Sequence, residues 1–247
     1  MSSRLRRAGA AASGFDTLLD PCFDLTDRPV VRLLGGWISS GVVAGLHLGT
    51  PCASWSRARR GRPPPLRNDG PFIMGFTSGL SEADFERIRI GNLTMRSTAR
   101  LIQQCIKMQT PTSLENPATS RLWLAPPLQR LQRSIYFKKN ICDFCQHKMP
   151  WRKRTRVDTW HCMTEPAINK MCVGKGRLCS RTGREHIQLT GVDPHSKLLW
   201  TRVAEPYPPG FASGLARMLL QSADRLGLHR LAAGVLLHEP RPVEWTG

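Results

Sequence analysis

The sequence predicts an α/β fold built around a parallel sheet. Between residues 15 and 117, short apolar segments alternate with longer segments that repeat apolar residues at helical spacing. This alternation is typical of parallel strands joined by right-handed crossover helices. The chain has 247 residues, of which 40% are hydrophobic, so it can form one packed domain with a small subdomain.

The segments before residue 50 contain two predicted helices and two predicted strands. A basic segment and a segment with one apolar face predict the helices, and each is followed by a glycine that can end it. An apolar run stopped by Asp20-Pro21 predicts the first strand, and an apolar run without alternation predicts a buried second strand. These elements are a helix at 4–12, a strand at 15–19, a helix at 26–41 and a strand at 42–48.

The next segments predict a long loop, a long helix and a third strand. Three consecutive prolines and several arginines exclude a regular element from the loop. Ser81 can cap the helix, which has an apolar stripe at helical spacing and which Gly91 is expected to break. These elements are a loop at 57–80, a helix at 82–108 and a strand at 111–114.

The second half of the chain has a different composition, which predicts a small subdomain. Five of the eight cysteines lie between residues 142 and 179, beside the basic run at 151–156. A last helix at 212–223 is expected to return to the core. We therefore divide the chain into a basic N-terminal helix at 1–14, a core at 15–139, a Cys-rich basic subdomain at 140–192, and a C-terminal return with a tail at 193–247.

The charge of the chain predicts a polyanionic partner. Lysine and arginine total 36 against 18 acidic residues, which gives a formal net charge of +18. Nucleic acid is the simplest partner for this excess, and a generally basic protein without such a partner is the alternative. No apolar run approaches the ~20 residues of a membrane span, and no secretory signal core is visible. We expect a monomeric, intracellular protein, with the nucleus as one location.

The clustered cysteines are candidate metal ligands. Thiols of an intracellular protein stay reduced, so metal binding is favoured over disulfides. Zinc takes four sulfur or nitrogen ligands, and a fully occupied set makes a structural site. The candidates are Cys142, Cys145, Cys172, Cys179 and His186, of which four would bind. The alternatives are the set without Cys142, a contribution from His161-Cys162, and reduced thiols without metal.

Two reactive side chains are predicted at neighbouring strand ends. Cys52 follows the strand at 42–48, and Glu115 follows the strand at 111–114. Ligands of parallel sheets bind at the carboxyl ends of the strands, so both side chains are expected to face one hollow. A cysteine thiolate is nucleophilic near neutral pH, and a buried carboxyl group can hold a proton.

The order of these motifs resembles the cytosine-5 DNA methyltransferases. Gly49-Thr50-Pro51-Cys52 resembles the family's Pro-Cys motif, and Leu114-Glu115-Asn116 resembles its Glu-Asn motif. Gln146 with Arg152-Lys153-Arg154 resembles its Gln-x-Arg-x-Arg segment. The resemblance covers residues 15–210 loosely. It implies a Rossmann-like methyltransferase sheet, incomplete at its N-terminus, with a small Cys-rich insertion, and S-adenosylmethionine as the donor of a methyl group to DNA.

The resemblance implies a role for each candidate residue. Cys52 would add to carbon 6 of cytosine, so that carbon 5 can attack a methyl donor, while Glu115 protonates the ring and Asn116 fixes the turn. Packing within its own loop is the alternative role of Trp55. The other implied roles are the cytosine carbonyl for Arg152 and Arg154, the donor for Asp20, Asp24 and Pro51, and nucleic acid for Trp55, Ser56, Arg57, Arg59, Arg60, Lys153 and Arg156.

The sequence lacks one motif of the family it resembles. Family members open with a Phe-x-Gly-x-Gly loop that holds the donor, whereas this chain begins at the helix that would follow that loop. We therefore expect weak or absent methyl transfer. The alternatives are a non-enzymatic, basic, zinc-containing nucleic-acid-binding protein and a decayed fragment of a mobile element.

Overall fold

The fold is mixed α/β, and its centre is a four-stranded mixed sheet. The computed structural model describes residues 2–7, 10–57 and 64–228. The strand order is β1-β2-β4-β3, in which β1 and β2 are parallel and the other neighbours are antiparallel. The strands are β1 (Leu46–Gly49), β2 (Thr112–Pro117), β3 (Phe137–Asp143) and β4 (Arg154–Trp160).

Helices connect and cover the strands. The three longest pack through apolar faces, as the sequence pattern predicts, and none of the described helices is long and apolar enough to cross a bilayer. The predicted tail beyond residue 228 lies outside the described residues. The helices are α1 (Ser2–Arg7), α2 (Arg28–Ser39), α3 (Glu82–Lys107), α4 (Pro126–Leu131), α5 (Trp200–Val203) and α6 (Pro209–Arg225).

Helix α3 is continuous, so the break predicted at Gly91 is wrong. Ser81 caps the helix as predicted, since its Oγ accepts a hydrogen bond of 3.3 Å from the backbone N–H of Asp84. Gly91 has a packing role instead, because a Cβ there would lie 2.1 Å from Oγ of Ser54. The glycine lets the loop that follows β1 pack directly against the helix.

The strand predicted at residues 15–19 is also wrong. Residues Thr17–Leu19 form a turn, in which the Asp16 carboxylate accepts a hydrogen bond of 2.9 Å from the backbone N–H of Leu18. Leu18 and Leu19 are 65% and 68% exposed. An aspartate that bonds its own following backbone competes with strand pairing, and here the local bond prevails.

The predicted boundary at residue 140 falls inside β3. Strand β4, from the predicted subdomain, lies between β2 and β3, and its Val157 is opposite Glu115. The segment therefore completes the central sheet and is not a separate insertion over its whole length. Of the predicted subdomain, residues 161–192 form the largely irregular part, with one short helical turn at Pro166–Ile168.

Candidate functional site

A cavity of about 410 Å³ lies at the carboxyl ends of β1 and β2. The parallel register sets Gly49 opposite Glu115, so the loop after β1 runs beside the end of β2. The volume is typical of pockets for small organic ligands, which occupy about 300–1,000 Å³. Residues that line the cavity include Gly49, Thr50, Pro51, Cys52, Ser56, Glu115, Asn116, Lys153, Leu189, Glu205 and Tyr207.

Asn116 holds the loop that carries Cys52. Its Nδ2 donates a hydrogen bond to the carbonyl oxygen of Thr50, the residue before Pro51. The hydroxyl of Thr50 in turn shares a hydrogen bond of 2.9 Å with the hydroxyl of Thr98 on α3. The loop is therefore bonded to β2 and to α3, which places Cys52 at the cavity wall.

Cys52 is half-buried, and its pKa reflects opposing influences. Burial has the largest effect and raises the pKa of the thiol. The positive charge of Lys153 acts in the opposite direction, while the charges of Glu115 and Glu205 add to the increase. Among these charges, the ammonium of Lys153 is the one that favours the thiolate.

Glu115 is a buried carboxyl group with one free oxygen. The residue is 7% exposed, and its Oε2 accepts a hydrogen bond of 2.8 Å from the phenol of Tyr207. Its Oε1 has no hydrogen-bond partner among the described residues. Burial raises the pKa of Glu115, against the charge of Lys153 and the bond from Tyr207. A raised pKa favours the protonated form, which can donate to a ligand.

Tyr207 connects Glu115 to a buried histidine. Nε2 of His47 is 3.2 Å from the Tyr207 oxygen, and Nδ1 is 2.9 Å from Oγ of Ser113. Because the phenol proton goes to Glu115, the Tyr207 oxygen accepts from Nε2–H, and Nδ1 accepts from the serine hydroxyl. Burial lowers the pKa of His47 to about 3, so the ring is neutral. His47 is therefore a buried core histidine whose two ring nitrogens both have partners.

Lys153 is the basic side chain of the 151–156 run that lines the cavity. Its Nζ donates a hydrogen bond of 2.9 Å to the carbonyl oxygen of Ala204. Arg152 and Arg154, which were expected at the cytosine carbonyl, are not at the cavity wall; both pair with Asp143, at 3.3 and 2.8 Å. Side chains alternate in direction along an extended segment, so the middle residue faces away from its neighbours.

The residues expected to contact nucleic acid lie in different environments. Trp55 is fully buried, so the expectation that it stacks on a base is wrong: Nε1 donates to the Gly91 carbonyl, and the buried Arg67 guanidinium lies 3.6 Å above the ring. Ser56 is at the cavity wall. Arg57 pairs with Asp69 and Arg156 with the buried Asp158, while Arg59 and Arg60 lie outside the described residues.

The two acids expected to bind the methyl donor cap local turns. Asp20 Oδ1 accepts a hydrogen bond of 2.8 Å from the N–H of Cys22. Asp24 accepts from both the N–H and the hydroxyl of Thr26, at 2.7 and 2.8 Å. Neither acid lines the cavity, whereas Pro51 does. The described residues therefore do not fit a site for S-adenosylmethionine beside Cys52.

A second site consists of three cysteines and one histidine. One ligand atom from each of four buried residues lies within 4.8 Å of the others, which is close enough for all four to bind one metal ion. Burial raises the pKa of Cys172, but hydrogen bonds from the N–H and hydroxyl of Ser180, at 3.3 and 3.5 Å, together with bonds from Gly174 and Cys145, lower it to about 6. The four residues are Cys145, Cys172, Cys179 and His186, and we call them the Cys3His cluster.

Cys142 is not part of this cluster. Its Sγ lies 3.1 Å from Nε2 of His147 and 3.6 Å from the carbonyl oxygen of Ala167, within the core under α6. The ligand set that includes Cys142 is therefore wrong, and the alternative set without it is the one that the fold assembles. The two cysteines of the Cys-x-x-Cys pair therefore lie in different buried clusters, Cys142 in the core under α6 and Cys145 with Cys172 and Cys179.

Two residues of the cavity have no motif in the sequence that marks their role. Tyr207 lies 92 residues after Glu115, in a segment where only prolines stand out. The placement of Lys153 could have been inferred only from strand parity.

No family model, no curated protein and no solved structure matches this chain.

Proposed function

We propose that this chain is a cytosine-5 DNA methyltransferase-like protein that binds a cytosine covalently through Cys52. One observation carries the proposal: Cys52 and the buried carboxyl of Glu115 line the same cavity, at the ends of adjacent parallel strands. A nucleophile beside a proton donor is the pair that addition to a pyrimidine ring requires. The β1–α3–β2 unit would belong to a Rossmann-like sheet.

The proposed addition balances with the groups in the cavity. After the thiol proton leaves to solvent, the Cys52 sulfur forms a bond with carbon 6, and the electrons of the 5,6 double bond move through carbon 4 to the ring nitrogen N3. Glu115 transfers its proton to N3 and becomes a carboxylate. The positive charge of Lys153 stabilises the Cys52 thiolate before the attack and the Glu115 carboxylate after the proton transfer.

DNA is the proposed source of the cytosine. The formal net charge of +18 favours a phosphate backbone as partner. The base has to leave the duplex or come from a single strand, because a ring stacked within a duplex cannot enter a cavity of the protein. In the resemblance S-adenosylmethionine supplies the methyl group, but Asp20 and Asp24 are engaged in their own turns. The proposal therefore ends at the covalent adduct.

Zinc is the proposed occupant of the Cys3His cluster. Three sulfurs and one imidazole are the donor types that Zn²⁺ prefers, and four ligands complete a tetrahedron. Hydrogen bonds to the sulfur of Cys172 favour its thiolate form, which is the form that binds metal. With no open coordination position, the ion would be structural.

A trapping experiment tests the covalent step without a methyl donor. The probe is a single-stranded oligonucleotide that contains 5-azacytosine. Carbon 6 of this base is more electrophilic than carbon 6 of cytosine, and it forms a stable adduct with a thiolate. The full chain is incubated with this oligonucleotide and analysed by denaturing electrophoresis and peptide mass spectrometry. We expect an adduct at Cys52, none in Cys52→Ser, and a rate lower by about 100-fold in Glu115→Gln.

The control is Cys22→Ser, which removes an exposed cysteine outside the cavity. This variant should form the adduct at the wild-type rate. An adduct that persists in Cys52→Ser, or a wild-type protein that forms none while its fold is intact by circular dichroism, would exclude the proposed reaction.

A second candidate function is nucleic-acid binding without catalysis. The Cys3His cluster and the excess of positive charge favour it, since neither needs a reactive cysteine. It predicts that a plot of log affinity for DNA against log salt concentration has a slope of ~−0.9 for each phosphate that the protein contacts. It also predicts that Cys52→Ala leaves affinity and all other measurable behaviour unchanged, whereas the covalent proposal requires loss of the 5-azacytosine adduct.

A further inference from the structure

Asp143 joins the Cys3His cluster to the basic run at 151–156, where β4 begins. Asp143 ends β3 and is fully buried. Its carboxylate accepts a hydrogen bond of 2.8 Å from the backbone N–H of Cys172, a residue of the cluster. The same carboxylate accepts bonds of 2.9 and 2.8 Å from Arg154 and one of 3.3 Å from Arg152. One buried side chain therefore connects a cluster residue to both arginines that flank Lys153.

Backbone bonds reinforce this connection. Nη2 of Arg152 donates a bond of 3.0 Å to the carbonyl oxygen of Cys172, and the carbonyl of Lys153 accepts one of 3.1 Å from Phe144, the residue before Cys145. On the far side of the cluster, the N–H of Ile187 donates 3.0 Å to the carbonyl of Pro150. The segment from residue 150 to 154 is thus bonded to one cluster member, Cys172, and to the sequence neighbours of two others, Cys145 and His186.

These bonds determine where the Lys153 side chain lies. Arg152 and Arg154 are held on the cluster side, so alternation along the extended segment directs Lys153 to the opposite side. On that side Lys153 lines the cavity and contacts the carbonyl of Ala204. If the cluster opened, the segment would lose the partners that keep its two arginines, and therefore its lysine, in register.

We infer that a metal ion in the Cys3His cluster positions Lys153 beside Cys52, and that Asp143 is the positioning residue that transmits this order. The inference deepens the proposed function, because it makes the metal a condition for a reactive Cys52. Three charged groups act on Cys52: the Lys153 ammonium, which lowers the pKa of the thiol, and the carboxyls of Glu115 and Glu205, which raise it. Lys153 is the cation among these three charges, and its displacement would remove the charge that favours the thiolate.

The test measures the pH dependence of Cys52 alkylation in the full chain. Protein loaded with Zn²⁺ and protein stripped by a chelator receive a short pulse of iodoacetamide at pH 6–10, and Cys52 is followed by peptide mass spectrometry. We expect the midpoint to rise by about one pH unit when the metal is removed, with alkylation at pH 8 slower by about fivefold or more. Unfolding would have the opposite effect, because it exposes the thiol.

Two variants separate the positioning role from general stability. In Lys153→Met, the pH midpoint of Cys52 alkylation should be as high as in the metal-free wild-type protein, both with and without metal. Asp143→Asn should still bind Co²⁺ with thiolate–cobalt absorption, yet show the high midpoint in the loaded state. Cys105, which lies on α3 and is fully buried in the core, reports whether the fold stays intact. It should remain unreactive in every sample.

Two outcomes would overturn the inference. One is a midpoint that does not move on metal removal while Cys105 stays protected. The other is rapid alkylation of Cys105 on metal removal, which would mean that the ion supports the whole fold and not the position of one lysine. Neither measurement uses DNA, so a failed 5-azacytosine trap with a shifted midpoint would count against the proposed function alone.

Discussion

The phenol of Tyr207 donates a hydrogen bond of 2.8 Å to Oε2 of Glu115, across 92 residues of sequence. Gly49 makes room for this contact, because a Cβ at that position would lie 3.0 Å from the phenol oxygen. The bond fixes one oxygen of the carboxyl and leaves the other without a partner in the described part of the chain. Burial and the Glu115 charge raise the pKa of Tyr207 well above its ordinary value, so the phenol keeps its proton.

Tyr207→Phe should destabilise the protein. The change removes the donor to Glu115 and leaves the buried Nε2–H of His47 without its acceptor. Loss of buried partners costs about 1–3 kcal/mol, and we expect a decrease of this size in the free energy of unfolding measured with urea. Tyr136→Phe, at the other tyrosine of the chain, is the control and should change stability by less than about 0.5 kcal/mol. Equal effects would contradict a structural role for the Tyr207 bond.

The stability of the protein relative to Glu115→Gln should fall as pH rises. The folded-state pKa of Glu115 lies above its ordinary value of 4.5, so the folded protein holds this proton more tightly than the unfolded chain does. The stabilisation is fully present below pH 4.5 and is lost as pH rises through the raised pKa. Unfolding in urea between pH 4 and 8 measures the difference between the two proteins. A difference that stays constant between pH 4 and 8 would mean that the pKa of Glu115 is not perturbed.

Metal content should separate the Cys3His cluster from Cys142. Elemental analysis of purified protein should give one Zn²⁺ per wild-type chain and per Cys142→Ser chain, but much less than one for Cys145→Ser or Cys172→Ser. The reason is that the sulfur of Cys142 faces His147 and not the cluster. Loss of zinc from Cys142→Ser with retention in Cys145→Ser would reverse the assignment of ligands.

Gly91→Ala should destabilise the protein although alanine favours helix. The added Cβ would lie 2.1 Å from Oγ of Ser54 and 3.1 Å from Nη2 of Arg67. Overpacking of this kind lowers the free energy of unfolding by about 1–3 kcal/mol. Gly35→Ala in α2 is the matched control, because its Cβ would have no atom within 4 Å. That change should stabilise by about 0.5–1 kcal/mol. Thermal unfolding of the two variants compares them, and a shift of the same sign in both would contradict the packing at Gly91.

Local sequence patterns determined much of the secondary structure. The cap of α3, the apolar faces of α2 and α3, and the buried runs of β1 and β2 depend on neighbours within a few residues, which a sequence displays directly. The meeting of Cys52 and Glu115 could also be anticipated, because parallel strands present their carboxyl ends at one edge of a sheet. The turn at Thr17–Leu19 escaped because a single side-chain bond outweighed an apolar pattern.

Tertiary structure decided which of the candidate groups meet. Insertion of β4 between β2 and β3 brings Lys153 to the cavity and keeps Arg152 and Arg154 away from it, a matter of parity that composition does not reveal. The same long-range packing buries Trp55 against α3 and selects four ligands from five. These outcomes depend on contacts between residues far apart in sequence. A short segment does not show which distant residues it will contact, so local patterns do not predict these contacts.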